Sequence, residues 1–400
     1  VRPREIRCER FDVSAAGVTR HPNGNARLAL KTVPAETRQI AVEVPLCRSG
    51  HRSFALDDVG AAGKNACLQP TDPHEYVMRL ALGHVAARAV YALAYFRIVD
   101  HLAAGACSAG ELARLTGADE SSLLRLLRAA AALLLVNEEA ESSFTLTPYG
   151  EALRSDASRH AASATLAIGH SGVWRAIGEL PRALEMGQPL PAALGGAKPF
   201  ADAPSGETSL TADAMIAFYG DEPDAVAAAY DFSGIRLLAD LGGSSGNLLT
   251  TILSRNPEMQ GILFDLPYTA GSARRRIERQ GLTDRCRVIS GSFFESIPPG
   301  ADAYILSHVL HDWPPEKCET ILHNVRTAAR GARLLIVEPI LTSGPESNEA
   351  KLLDIMAMTV TGGRHRTAKE FQALLAHCGF RVTRIVPTPA LVSIIECMPS

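Results

Sequence analysis

The chain has little of what would tie it to nucleic acid, a membrane or an oxidising compartment. Its 40 Lys+Arg against 43 Asp+Glu leave a formal charge of only −3. That balance gives no electrostatic reason to expect nucleic acid or an anionic membrane surface as partner. No uninterrupted apolar run is long enough to span a bilayer. The first thirty residues lack an apolar core followed by a small-residue cleavage site, so no secretory leader is expected. The eight cysteines, at 8, 47, 67, 107, 286, 318, 378 and 397, never form Cys-x-x-Cys. This spacing indicates neither a zinc knuckle nor a dithiol redox pair and favours reduced thiols in the cytoplasm.

What is present is ordinary soluble-protein chemistry, 46% hydrophobic and 21% charged over 400 residues. That length implies two or three domains. Residues 1–70 are rich in Arg, Gly and Pro, and only "RLALKTV" and "QIAVEVPL" read as short strands; they form an extension to which no role is assigned. Residues 71–165 alternate apolar positions at helical spacing, and Ser108 with Glu111 makes a capping box. "SSFTLTPYGEAL" then reads as strand, turn and helix, so helix-turn-helix-wing is the expected shape. Only Arg125 and Arg128 would face DNA, which favours dimer packing over a regulator's DNA contact. Residues 166–229 read as a helical linker. From 230 to 400, short apolar strands alternate with amphipathic helices, the pattern of an α/β doubly wound parallel sheet. Ligands of such sheets sit at the carboxyl ends of the strands.

Three features fall in order at successive strand ends. "LLADLGGSSGNLL" places Asp240, Gly242 and Gly243 at a strand-to-helix turn, "LFDLP" ends a strand in Asp265 followed by Leu266, and "VISGSFFE" carries Ser292 and Phe293 after the third. Glycines admit close approach of a ligand, and an acid at the second strand end suits ribose hydroxyls. Taken singly, each is a turn, a cap or a strand end; together they point to an adenosine-type cofactor. Further on, "SHVLHDWPP" offers His308 and His311, three residues apart. Their spacing permits a shared helical face and thus a metal site with His365 or Asp312, but no metal is expected; full activity after exhaustive chelation is the matching test.

The motifs "DLGGSSG", "FDLP", "VLHDW", "IVEPIL" and "TGGRHRTAKEF", in this order, resemble the S-adenosylmethionine-dependent O-methyltransferases of the caffeate/acetylserotonin/hydroxyneurosporene type, over about residues 71–398. The resemblance implies a Rossmann-like class I methyltransferase domain behind an N-terminal, mostly helical winged-helix dimerisation domain. It also implies a homodimer, S-adenosylmethionine as cofactor, and a small-molecule substrate with a phenolic or other hydroxyl. Carried over residue by residue, Gly242 lies against the cofactor's amino-acid part and Asp265 binds its ribose. Ser292 stands where an aspartate usually reaches the adenine, and Ser307 where plant members often have lysine. His170, Trp174, Met215, Asp354 and Met358 become the substrate wall. His311 falls on the family's general base, Glu338 on a glutamate beside it, and His365 replaces a second flanking glutamate. A histidine titrating near neutrality suits removal of a phenolic proton, whose own pKa is about 10. A carboxylate on its other ring nitrogen would fix the tautomer. C- or N-methylation, a non-methylating use of the same cofactor, and a winged-helix regulator stay open as alternatives.

Overall fold

The computed structural model describes residues 72–105, 107–139, 142–157, 161–187, 220–344 and 349–400, together with two short strands near the N-terminus. Those strands, β1 (Val18–Arg20) and β2 (Ala26–Leu28), pair antiparallel within a separate compact unit, Val1–Thr71. β2 overlaps the first strand expected there; the second expected strand lies outside the described residues.

The unit Asp72–Ser400 begins with helices Pro73–Ala81 and Gly83–Tyr95. The run Pro73–Tyr95 is 23 residues long and apolar enough to cross a membrane by length and composition, although Glu75, Arg79 and Arg88 interrupt it. Tyr76, Val77, Leu80, Leu82, Val85 and Tyr95 stay exposed on it. Beyond it, helices Ala109–Thr116 and Glu120–Ala132 lead into a small antiparallel sheet of β3 (Cys107–Ser108), β5 (Ser143–Leu146) and β4 (Val136–Glu138). Ser108 and Asp119 cap the two helices by accepting from Glu111 and Ser122 N–H, so the expected helix-turn-helix-wing is present. Leu93, Leu112, Leu127 and Phe144 close its core.

The main sheet runs β12 (Phe380–Pro387), β13 (Val392–Pro399), β10 (Arg333–Leu341), β9 (Ala303–Ser307), β6 (Leu237–Leu241), β7 (Gln260–Asp265), β8 (Cys286–Ser290), with β11 (Arg366–Thr367) attached to β10. It is parallel from β10 through β8. β13 runs against both neighbours, so the sheet is mixed where a wholly parallel one was expected. The reason is the four-residue connection between β12 and β13. A parallel crossover needs a dozen residues or more, whereas a short loop returns antiparallel. Buried strand runs such as Leu334–Val337 pack against helices on both faces and form two apolar cores. Chain order reverses between β6 and β9, which opens a crevice at their carboxyl ends.

Candidate active site

Residues singled out from sequence lie at or just past the carboxyl ends of β6, β7, β8 and β9. After β6, Gly242 has φ +78°, and its N–H donates to Phe264 O at 2.8 Å. A Cβ there would come within 3.0 Å of Val309 Cγ2 and 3.5 Å of Phe293 Cε1, so glycine keeps the loop both left-handed and thin. Gly243 is bare for another reason: a Cβ would lie 2.6 Å from Asp240 Oδ2. The Asp240 carboxyl is buried beneath the loop with no hydrogen-bond partner on either oxygen among the described residues. Burial, and then the Asp265 charge, push it up to about 7. Asp240 thus supports the glycine turn from below.

Asp265 joins two loops. Its Oδ2 accepts from Ser244 N–H at 2.7 Å and its Oδ1 from Leu266 N–H at 2.6 Å. Burial raises its pKa, and these two bonds work against that shift. A carboxylate has about four acceptor positions, so capacity remains for ribose hydroxyls. Leu266 is partly exposed beside it. After β8, Ser292 Oγ accepts from Phe294 N–H at 3.2 Å, a local turn bond. Phe293 and Phe294 pack edge-on against Trp313, and Asn324 donates to Phe293 O at 2.9 Å. Asn324 carries no motif of its own, and its place in this loop was missed from sequence. A thin glycine loop, an acid with spare lone pairs and an aromatic loop over one crevice fit an adenosine-type cofactor.

Ser307 ends β9, paired with Val337 of β10. The chain then turns through His308, at φ +53°, into the 3-10 turn Leu310–Asp312. His308 Nε2 lies 2.6 Å from Glu222 Oε1, and both side chains are nearly buried. Glu222, at the start of helix Glu222–Ala229, was also missed, because only the fold brings it to His308. The His308 ring meets the His311 ring edge-on at 5.5 Å.

His311 is 12% exposed and lies parallel to His365, with ring centroids 4.6 Å apart and 16° between the planes. Burial, then the charges of His308, His365 and Arg366, lower the His311 pKa well below 6.5; burial drives His365 down to about 4. Both shifts favour the neutral form of the ring. Glu338 is fully buried. Its Oε1 accepts the backbone N–H of Leu310 at 2.7 Å and of His311 at 3.1 Å. From the same Oε1 to His311 Nδ1 the distance is 3.8 Å, and Nδ1 has no hydrogen-bond partner among the described residues. The expected carboxylate–ring hydrogen bond is thus replaced by a carboxylate that anchors the backbone of the histidine turn and faces the ring across an ion-pair distance. Asp312 Oδ1 is 3.6 Å from His311 Nε2; burial and the Glu338 charge raise the Asp312 carboxyl to about 7, with water at the 31% exposed side chain screening part of the effect.

The Gly362–Gly363 loop closes over this turn. A Cβ on Gly363 would fall 1.8 Å from His311 O, which explains why the second glycine is bare. Asp354 Oδ1 accepts His365 N–H at 2.7 Å, so Asp354, expected on the substrate wall, tethers the histidine loop. Arg366 Nη1 donates to Leu310 O at 3.0 Å. Met358 is half-buried on the same helix, Glu349–Val360, which packs against helix Ser171–Gly178. His170 caps that second helix by accepting from Gly172 N–H at 3.3 Å and is exposed. Trp174 packs under the Arg88 guanidinium, 4.7 Å from its ring centre, at the seam with helix Gly83–Tyr95. Met215 lies outside the described residues.

The fold and this crevice define a class I S-adenosylmethionine-dependent methyltransferase. Two family descriptions match: an O-methyltransferase domain over residues 209–381 and an O-methyltransferase dimerisation domain over 78–156. The chain belongs to this O-methyltransferase family. It is 34% identical over 328 residues to the phenazine O-methyltransferase PhzM of Lysobacter antibioticus, covering 81% of this chain and 95% of the relative. It is 34% identical over 316 residues to the 8-amino-8-demethylriboflavin N,N-dimethyltransferase of Streptomyces davaonensis, covering 77% and 90%. The crystal structure of the O-methyltransferase NcsB1 from neocarzinostatin biosynthesis, in complex with S-adenosylmethionine and 2-hydroxy-5-methyl naphthoic acid, superposes with TM-score 0.70 at 32% identity, over 78% of this chain and 96% of that one.

Proposed function

We propose that this enzyme methylates a phenolic hydroxyl of a small aromatic natural product, with His311 as the general base. The observation that carries the reading is a nearly buried imidazole just past the β9 end, its turn held by Glu338 through the Leu310 and His311 N–H groups. The cofactor supplies a methyl group activated on a sulfonium. The protein's task is to align oxygen and methyl within about 3–3.5 Å and take up the proton. Nδ1–H facing Glu338 leaves the lone pair on Nε2, the atom that accepts the phenolic proton. The imidazolium that forms is then stabilised by the Glu338 carboxylate at 3.8 Å. A poorly hydrated pocket helps, because the charges of phenolate and sulfonium cancel as the methyl moves.

In this reading Asp265 holds the ribose, Gly242 admits the amino-acid part, and Phe293 with Ser292 borders the adenine. Trp174 and Met358 line the acceptor side. The exposed apolar face of Pro73–Tyr95 is the homodimer seam, in keeping with the dimerisation-domain match. The N-methylating relative keeps an amine acceptor as the second reading. A panel of phenols and anilines incubated with S-adenosylmethionine separates the two by product mass and position. Turnover of phenols that is abolished in His311→Ala supports the proposal; equal rates in both proteins would refute it.

A further inference from the structure

We propose that His311, Glu338 and His365 form an inhibitory binding site for a divalent transition-metal ion of the zinc type. The three residues each offer one ligand atom, and these atoms all lie within 4.8 Å of one another. His311 Nδ1, Glu338 Oε2 and His365 Nδ1 are buried and have no hydrogen-bond partner among the described residues. Leaving such an atom unsatisfied costs about 1–3 kcal/mol, and one cation satisfies all three. Two imidazoles and a carboxylate make a donor set for zinc-type ions, while magnesium and calcium prefer oxygen ligands alone.

The backbone around each donor is held independently. Glu338 spends Oε1 on two N–H groups, and its Oε2 is without a partner among the described residues. Asp354 fixes His365 through its N–H, and Gly363 sits against His311 O. In a tetrahedral site, bonds of about 2.0–2.2 Å place donors roughly 3.3 Å apart, with the ion in the plane of each imidazole. The two rings are stacked at 4.6 Å, so they must fan apart by side-chain rotation to bind. His365 supplies the second nitrogen of the donor set.

Occupancy and catalysis are then mutually exclusive. A neutral imidazole that gives Nδ1 to a metal carries its proton on Nε2 and accepts none from a phenol. The inhibitory half of this inference rests on His311 being the base; the binding half does not.

The test uses tag-free protein without S-adenosylmethionine or acceptor, titrated with Co2+ and followed by its visible d–d absorption, with Zn2+ as competitor. His365→Ala and Glu338→Gln are run beside it, with melting curves and S-adenosylmethionine binding to establish folding. One Co2+ per chain is expected in the wild type. Affinity should fall by about 100-fold or more in folded variants, since even outer-shell changes cost 10–100-fold. Zn2+ should also stop methyl transfer, and a chelator restore it. The absence of a saturable band at one ion per chain, or a band unchanged in His365→Ala, would overturn the site. Site-specific binding with undiminished turnover would overturn its inhibitory role, and leaves the base assignment to be judged by Glu338→Gln kinetics.

Discussion

Replacing Glu338 by glutamine separates the two jobs that this carboxylate performs. The side chain has no exposure, and its Oε1 holds the Leu310 and His311 N–H groups at 2.7 and 3.1 Å. A glutamine carbonyl in the same place accepts both bonds. The amide nitrogen replaces Oε2, which has no hydrogen-bond partner to lose among the described residues. What disappears is the negative charge 3.8 Å from His311 Nδ1. At an effective dielectric of about 20, a full imidazolium at that distance is stabilised by about 4 kcal/mol. With the proton half transferred in the transition state, the loss is about 2 kcal/mol, or roughly 30-fold in kcat. KM for S-adenosylmethionine should not move, because the cofactor loops lie on β6, β7 and β8.

The assay is single-turnover methyl transfer to a phenol identified by screening, read as S-adenosylhomocysteine formed together with methylated product. Glu338→Ala serves as the contrast. It strands two N–H groups at about 1–3 kcal/mol each, so it should lower the melting temperature as well as the rate. A glutamine variant within about threefold of wild type would refute the electrostatic argument, whatever the alanine variant does.

Three further outcomes follow from the same geometry. Burial holds the His311 pKa well below 6.5, and only the neutral ring accepts a proton, so kcat/KM should fall only on the acid side of 6.5; an acid limb centred at 6.5 or above, on a phenol that titrates near 10, would contradict this. Gly363→Ala forces a Cβ to within 1.8 Å of His311 O, so the loop and the histidine turn must part; a misplacement of about 1 Å predicts a kcat loss near 100-fold, measured with S-adenosylmethionine affinity as control. Asp240 is raised from 3.8 unfolded to about 7 folded, so the native state binds the extra proton and wild-type stability declines as pH rises from about 4 to about 7. Asp240→Asn should flatten that decline, by an upper bound of about 4 kcal/mol in the difference of urea-unfolding free energies between pH 4 and pH 8, and an unchanged slope would show that Asp240 is ionised in the native protein.

The parts of this site that lay open in the sequence are those whose chemistry is local. A left-handed glycine after an apolar strand, an acid ending the next strand, and a histidine after "VL" can each be read from a few neighbouring residues, because turn geometry and strand period act at short range. The β12–β13 hairpin was half legible: "RVTRIVPT" reads as a strand, but the direction of its partner depends on a connection only four residues long. Glu222 and Asn324 were invisible for a different reason. Glu222 meets His308 across 86 positions of chain, and Asn324 reaches Phe293 O across 31, so no local period marks either.

Glu338 enters the sequence reading only through the resemblance, as a partner for the His311 ring. It lies inside β10 and not at its end, and the fold shows that its carboxylate binds the backbone of the histidine turn first and acts on the ring through its field second. That order matters for how the site tolerates change. The backbone bonds keep the histidine turn in place whatever occupies position 365, since they pass through Leu310 and His311 N–H and not through the His365 ring. A histidine can therefore stand at 365, where the resembling motif has an acid, without unseating the histidine turn. It places a second nitrogen donor within a few ångströms of that of His311.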